Sequence, residues 1–193
     1  MNLPNKLTVA RLILTVVFVI LYYLPIPNAV SWSLLVFAIA SITDLLDGQI
    51  ARKYNLVTNF GKLMDPLADK ILMTAALIML AMRDHLAAWI VIAILAREFF
   101  VTGIRQIASQ QGVVLAAEKL GKHKLVWQVI TVLYFLLYEA SAEVMFGWIR
   151  PLFSWTLFSP AYFGFFCVVV MTALTILSGF SYFWKNRKLF GDA

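Results

Sequence analysis

Charged residues are scarce in this chain of 193 residues, at 13% of the total against roughly 25% in an ordinary soluble domain. Hydrophobic residues make up 62%. So little charge argues against a soluble globular domain and is typical of a membrane protein. The apolar runs recur along the whole chain without a linker or a change of composition, so we expect a single domain over residues 1–193.

Cysteine is also nearly absent: the chain has one, Cys167, which lies in an apolar run. An internal disulfide is therefore excluded, and nothing suggests a structural zinc site or a redox pair. The formal net charge of +6 would suggest nucleic acid as the partner of a soluble protein. In membrane proteins, however, cytoplasmic loops collect Lys and Arg, which anionic headgroups attract. We therefore expect a lipid bilayer as the partner, and no nucleic acid.

Six apolar segments are long enough to cross a bilayer, which takes about 20 residues. They predict an all-α polytopic protein of the cell membrane with six transmembrane helices. With the N-terminus in the cytoplasm, the C-terminus returns there, and fourteen of the sixteen basic residues fall on or toward that side, leaving Arg83 and Arg150 outside. The segments run approximately from Leu7 to Leu24, Val30 to Ala51, Pro66 to Met82, Leu86 to Ile107, Leu125 to Ser141 and Ala161 to Trp184.

The opening stretch "NLPNKLTVARL" predicts an N-terminal interfacial segment that leads into the first helix, with Pro4 and Asn5 as starting signals. Lys6 and Arg11 before an apolar run would also fit a signal peptide, but the run is long for one. We therefore expect this segment to belong to the membrane domain.

Four of the ten acidic residues fall in one short stretch at the edge of two predicted spans. Asp44 and Asp47 are three residues apart, and Asp65 and Asp69 are four apart, so each pair shares one face of a helix. An ionised carboxylate is costly inside a membrane, which makes an acid there a sign of function. Two adjacent antiparallel helices can point all four inward.

Four neighbouring carboxylates would repel one another unless a cation lay between them. Oxygen ligands without His or Cys favour Mg²⁺, Mn²⁺ or Ca²⁺ over zinc, and paired ions of this kind serve displacement at phosphorus. The stretch therefore predicts phosphate chemistry. Alternatively, the aspartates are boundary residues that pair with nearby Lys and Arg. An ion transporter is a further alternative, but it would distribute its acids along a path through the bilayer.

The whole stretch reads Asp44-x2-Asp47-Gly48-x2-Ala51-Arg52-x8-Gly61-x3-Asp65-x3-Asp69. It matches the signature of the CDP-alcohol phosphotransferase family at every fixed position, and the chain is identified as a member. The resemblance implies a six-helix membrane enzyme, usually a homodimer, that moves a substituted phosphate from a CDP-linked donor to an alcohol and releases CMP.

The resemblance also implies the roles of the motif residues. Two divalent cations, Mg²⁺ or Mn²⁺, would be held by all four aspartates, and the last of them would also be the catalytic base. The metal positions are Asp44, Asp47, Asp65 and Asp69, and the CDP-binding positions are Gly48, Ala51, Arg52 and Gly61.

The acceptor site is expected further along the chain. In "AREFFVTGIRQIAS", Arg97 and Arg105 are eight residues apart, about two helical turns, so that one face can present both. "EKLGKHKLVWQ" adds Lys122 and Lys124, and such a cluster suits an acceptor that carries its own phosphate. Alternatively, Arg97 forms only a charge pair with Glu98, and the lysines are membrane anchors.

Together with these two basic segments, "LPNKLTVAR" and "TILSGFSYF" resemble one branch of the family. The similarity covers essentially the whole chain. In that branch the donor is CDP-diacylglycerol and the acceptor is glycerol 3-phosphate. Other branches use phosphatidylglycerol, serine or an inositol phosphate as acceptor, and these remain alternatives. The active site would face the cytoplasm.

Overall fold

The structure is a computed structural model, and it describes residues 3–54, 59–113, 115 and 119–187. Within its helices, the side chains at 3–5, 44–54, 59–63, 65, 66, 69 and 119 lie outside the description. The described ranges are almost entirely helical and contain no β-strand. The helices are α1 Leu3–Tyr23, α2 Ala29–Tyr54, α3 Asn59–Met82, α4 Ala88–Gln110, α5 Lys119–Ala140, the short α6 Arg150–Ser154, and α7 Phe165–Asn186, which a π-helical turn at Pro160–Gly164 precedes.

The bundle is organised around α1 and α5. Helix α1 packs along α2 and α3, α5 packs against α2 and α7, and α4 packs mainly against α7. Phe18, Phe37, Leu77, Leu80 and Leu136 are fully buried where α1, α2, α3 and α5 meet. Because these apolar side chains come from four helices, the core fixes how α2 and α3, which carry the aspartates, lie relative to the rest.

Large apolar side chains also cover the outside of the bundle. Ile13 and Val16 on α1 are 59% and 58% exposed, and Leu177 and Phe180 on α7 are 57% and 65% exposed. An apolar exterior of this extent fits lipid rather than water. Two helical stretches, Lys6–Tyr23 and Pro160–Asn186, are long and apolar enough to cross a membrane. The described residues are therefore all-α, and their apolar exterior and two span-length helices indicate a membrane protein.

Helix ends differ from those expected from hydropathy. Helix α1 begins at Leu3, so the expected interfacial segment is the first part of α1 itself, with Pro4 in the first turn, where a missing amide costs nothing. Helix α3 begins at Asn59. Gly61, which precedes the predicted third span, is therefore inside this helix, and Pro66, the first residue of that span, lies in the helix interior. Polar residues extend both helices beyond the apolar run, which is all that hydropathy detects.

Candidate active site

The four aspartates lie on two neighbouring helices. Asp44 and Asp47 are on the C-terminal half of α2, and Asp65 and Asp69 are on the N-terminal half of α3. The helical register puts each pair on one face, and α2 and α3 contact each other. The aspartate side chains lie outside the described residues, so their convergence stays a prediction. The same holds for the CDP-binding positions on these helices, which are Gly48, Ala51, Arg52 and Gly61.

The donor atoms at these positions fit a hard divalent cation. Carboxylate oxygens alone, without imidazole or thiolate, are what Mg²⁺ and Mn²⁺ prefer. Among the side chains that the structure describes, no three His, Cys, Asp or Glu residues lie close enough together to hold a metal. The acidic turns of α2 and α3 therefore stay the predicted metal site, on the chemistry of their side chains alone.

The two predicted acceptor arginines both face α7. Arg97 Nε donates a hydrogen bond to Ser178 Oγ at 3.1 Å, and Arg105 Nε donates to the Tyr182 hydroxyl at 3.2 Å. The guanidinium of Arg105 also lies over the Tyr182 ring, 5.5 Å from its centroid. Since Ser178 and Tyr182 are one helical turn apart, the shared face predicted from the arginine spacing is confirmed. Binding of an acceptor by this face stays a prediction.

Glu98 connects Arg97 with Lys124. Its Oε1 accepts a hydrogen bond from Arg97 Nη1 at 3.1 Å and another from Lys124 Nζ. Lys124 is only 3% exposed, so the carboxylate offsets much of the cost of burying that ammonium. The charge pair between Arg97 and Glu98, considered above as an alternative, is present and extends to a second cation. We call Arg97, Glu98 and Lys124 the Glu98 cluster.

Lys122, the fourth predicted acceptor residue, behaves differently from Lys124. Helix α5 begins at Lys119, so both lysines are on its first turns rather than in a loop before it. Lys122 is exposed, whereas Lys124 is buried against α4. The structure therefore brings Arg97 and Lys124 together, places Arg105 two turns along the same face of α4, and leaves Lys122 at the surface.

A polar network connects the Glu98 cluster to the acidic helix α3. Lys70, which follows Asp69 in the chain, donates through Nζ to Thr102 Oγ1, and that hydroxyl donates to the Glu98 backbone oxygen at 2.7 Å. A cavity of about 40 Å³ beside it is lined by Lys70, Glu98 and Gln128, among others. The buried Gln128 Nε2 has no hydrogen-bond partner in the described part of the chain. The cavity has room for a water molecule that would satisfy this amide.

The packing of Arg97 depends on a glycine of α7. A methyl group at Gly179 would lie 3.0 Å from Arg97 Cγ, so an alanine there would force the arginine stem to shift by a few tenths of an ångström. Sequence reasoning assigned no role to Ser178, Gly179 or Tyr182, although all three occur in "TILSGFSYF". That segment carried a family resemblance, which was the available signal.

Comparison with known proteins decides the family. Residues 1–157 match the family model described as CDP-alcohol phosphatidyltransferase. The chain belongs to this family. The match includes α1 to α5, and with them the aspartate positions and the Glu98 cluster. Membership in the CDP-alcohol phosphatidyltransferase family thus covers both parts of the candidate site.

Individual relatives extend the similarity to nearly the full chain. A protein of Bacillus subtilis (strain 168) is 42% identical, with 96% of this chain and 95% of the relative covered. A protein of Rickettsia felis is 36% identical, with 98% and 97% covered. One of Rickettsia typhi is 37% identical, with 98% and 99% covered. Each of these relatives is named CDP-diacylglycerol--glycerol-3-phosphate 3-phosphatidyltransferase.

Proposed function

We propose that this chain transfers the phosphatidyl group of CDP-diacylglycerol to glycerol 3-phosphate, giving phosphatidylglycerophosphate and CMP. The observation that carries the proposal is the similarity, over nearly the whole chain, to relatives named for this reaction. The Glu98 cluster supports the acceptor, since a buried lysine beside a half-buried arginine, both close to the acidic helix, suits a substrate with its own phosphate. Serine carries no phosphate and would not need this pair.

The proposed arrangement in the membrane is a single domain of six crossings, formed by α1 to α5 and α7. Both termini and the aspartates then face the cytoplasm, where most basic residues also lie. The short α6 and its flanking turns lie at the opposite end. The family resemblance further suggests a homodimer in the cell membrane. A bilayer location suits the donor, whose acyl chains stay in hydrocarbon while its headgroup reaches the acidic turns.

In the proposed site the four aspartates hold two divalent cations, Mg²⁺ or Mn²⁺. When bound, such cations supply positive charge that neutralises the donor diphosphate and stabilises CMP as it leaves. The CDP moiety would lie against the parts of α2 and α3 that bear small residues, because a ligand can approach the backbone there. The CDP-binding positions are Gly48, Ala51, Arg52 and Gly61.

The remaining steps depend on the side chains of the chain itself. The acceptor hydroxyl oxygen forms a bond to the phosphatidyl phosphorus while the bond from that phosphorus to the CMP oxygen breaks. Asp69 accepts the hydroxyl proton, so proton and leaving group depart on separate paths. Arg97 and Lys124 hold the acceptor phosphate, with Arg105 and Lys122 as further basic groups. Orientation of the hydroxyl is then the main contribution of these cations to the rate.

The test is product analysis with purified protein, CDP-diacylglycerol, and Mg²⁺ or Mn²⁺. Glycerol 3-phosphate should give phosphatidylglycerophosphate and CMP, and phosphatidylglycerol, serine and inositol phosphate should give no product. Turnover with one of these other acceptors would overturn the acceptor assignment but keep the transferase. No CMP from any acceptor, in a monodisperse sample, would overturn the transferase as well.

A further inference from the structure

A second cavity lies at the end of the bundle opposite the aspartates. Its volume is about 850 Å³, within the range of ligand pockets, and its walls come from the C-terminal ends of α1 and α5, the N-terminus of α2, and the segments that follow α3 and α5. Val30 in its wall and Asp44 are on the same helix, about 20 Å apart along the axis at 1.5 Å per residue. This outer cavity is therefore separate from the candidate active site.

The carboxylates of the outer cavity already have partners. Glu139 accepts a hydrogen bond from the Tyr22 hydroxyl at 2.6 Å, and its other oxygen lies 2.7 Å from His85 Nε2. The Glu143 carboxylate accepts hydrogen bonds from the backbone N–H groups of Val30 at 3.0 Å and Ser31 at 2.7 Å, so it caps the N-terminus of α2. The negative charge in this cavity is thus engaged in holding helices together.

The two arginines of the outer cavity, unlike its carboxylates, do not connect one helix to another through an ion pair in the described part of the chain. Arg83 and Arg150 both line the outer cavity, and both are exposed. Within the described ranges, neither guanidinium forms an ion pair with a carboxylate. The guanidinium of Arg83 lies over the Tyr22 ring, 5.3 Å from its centroid, and this contact holds it at the cavity wall. Two guanidiniums at one opening present donors arranged for phosphate oxygens.

The rim of the outer cavity is apolar. Leu24 and Ile26 line it and are 40% and 43% exposed, and they continue the exposed apolar face of α1 that includes Val16 and Ile20. A small diffusible anion would gain nothing in binding from an apolar rim that continues onto the apolar exterior of α1. A phospholipid needs both parts, because its phosphate seeks the arginines while its acyl chains stay against α1.

We propose that the outer cavity binds the phosphate of an anionic phospholipid of the outer leaflet, with Arg83 and Arg150 as the recognising groups. The lipid lies with its acyl chains along the exposed face of α1. This site is independent of the transferase reaction and of its substrates. It also gives a role to the two basic residues that the proposed arrangement in the membrane leaves on the outer side.

The test uses the full chain, purified in detergent, with phosphatidylglycerol as the probe and native mass spectrometry to count bound lipids and measure their affinity. The variant Arg83→Gln/Arg150→Gln removes both guanidiniums. The matched control Lys185→Gln/Arg187→Gln removes two exposed cations at the other end of the bundle. Each basic group near a lipid surface contributes on the order of a fivefold gain in affinity, so we expect roughly 30-fold weaker binding of one lipid per chain in the first variant only.

Phosphatidylcholine and inorganic phosphate are the comparison ligands. Phosphatidylcholine, whose choline cation offsets the phosphate charge, should lose less affinity in Arg83→Gln/Arg150→Gln than phosphatidylglycerol does. Equal phosphatidylglycerol affinity in the wild type and in Arg83→Gln/Arg150→Gln would overturn the proposal, as would an equal loss in the control. Displacement of the lipid by inorganic phosphate at similar concentration would overturn the lipid assignment. If the double variant aggregates, Arg150→Gln alone is measured instead, because this residue is exposed. Its affinity for phosphatidylglycerol should fall about fivefold, and an unchanged affinity would contradict the site.

Discussion

Replacing Glu98 by Gln should impair use of the acceptor. The substitution keeps the size of the side chain and removes the negative charge that Arg97 Nη1 and Lys124 Nζ share. Lys124 is almost completely buried, so water cannot solvate its ammonium once the carboxylate is removed. The two cations then repel each other, and we expect them to leave the positions in which they would hold the acceptor phosphate.

The size of this effect follows from the contacts. Hydrogen bonds to charged groups contribute about 1.5–3 kcal/mol each. The Glu98 side chain is 24% exposed, so solvent screens part of the interaction, and we take the lower part of that range. A loss of about 1.5–2 kcal/mol corresponds to roughly a 10- to 30-fold decrease in kcat/KM for glycerol 3-phosphate. Glu98→Asp keeps the charge on a shorter side chain and should lose less.

The assay is CMP release in detergent at varied glycerol 3-phosphate, with KM for CDP-diacylglycerol measured separately. Asp84→Asn is the matched control, because it makes the same carboxylate-to-amide change at an exposed site at the opposite end of α3. Asp84 has a φ of 61°, a conformation that Asn also adopts readily. An unchanged or lower KM for glycerol 3-phosphate in Glu98→Gln would refute the idea that the cluster positions the acceptor. A rise only in the donor KM would refute it equally.

Three further outcomes are expected. Gly179→Ala puts a methyl group 3.0 Å from Arg97 Cγ and should lower turnover roughly tenfold. In the control Gly103→Ala the new methyl group meets nothing within 4 Å, so this variant should keep full turnover and gain up to about 1 kcal/mol in stability. Equal turnover in the two variants would contradict this role of Gly179. Glu143→Gln weakens the cap of α2 and should lower the thermal unfolding midpoint by the equivalent of about 1–2 kcal/mol, so an unchanged midpoint argues against the cap. EDTA should abolish CMP release, and Mg²⁺ or Mn²⁺ should restore it; turnover that persists in EDTA would speak against a metal-dependent reaction.

Local periodicity in the sequence was enough to predict the long helices and one of their faces. Each predicted span coincides over most of its length with a long helix of the structure, because apolar runs of this length have few other folds in a membrane. Arg97 and Arg105 share a face because eight residues are close to two turns. These features depend on neighbours in the chain, which is why sequence alone could indicate them.

Contacts between distant segments could not be predicted in this way. The oxygens of Glu143 cap α2 from 112 residues further along the chain, and Glu139 pairs with His85 from 54 residues away. Sequence alone assigned no role to any of these three. The polar first turns of α3 and α5 were also missed, since such turns extend a helix past the apolar run without changing its hydropathy signal.

The most direct test of the account is CMP release from CDP-diacylglycerol, with and without glycerol 3-phosphate, by the wild type, Asp69→Asn and the control Asp84→Asn. We expect CMP from the wild type and the control only when glycerol 3-phosphate is present. Asp69→Asn should lose at least about 100-fold in turnover, the contribution of a general base. Substantial turnover by Asp69→Asn, or none by a well-folded wild type, would contradict the central claim.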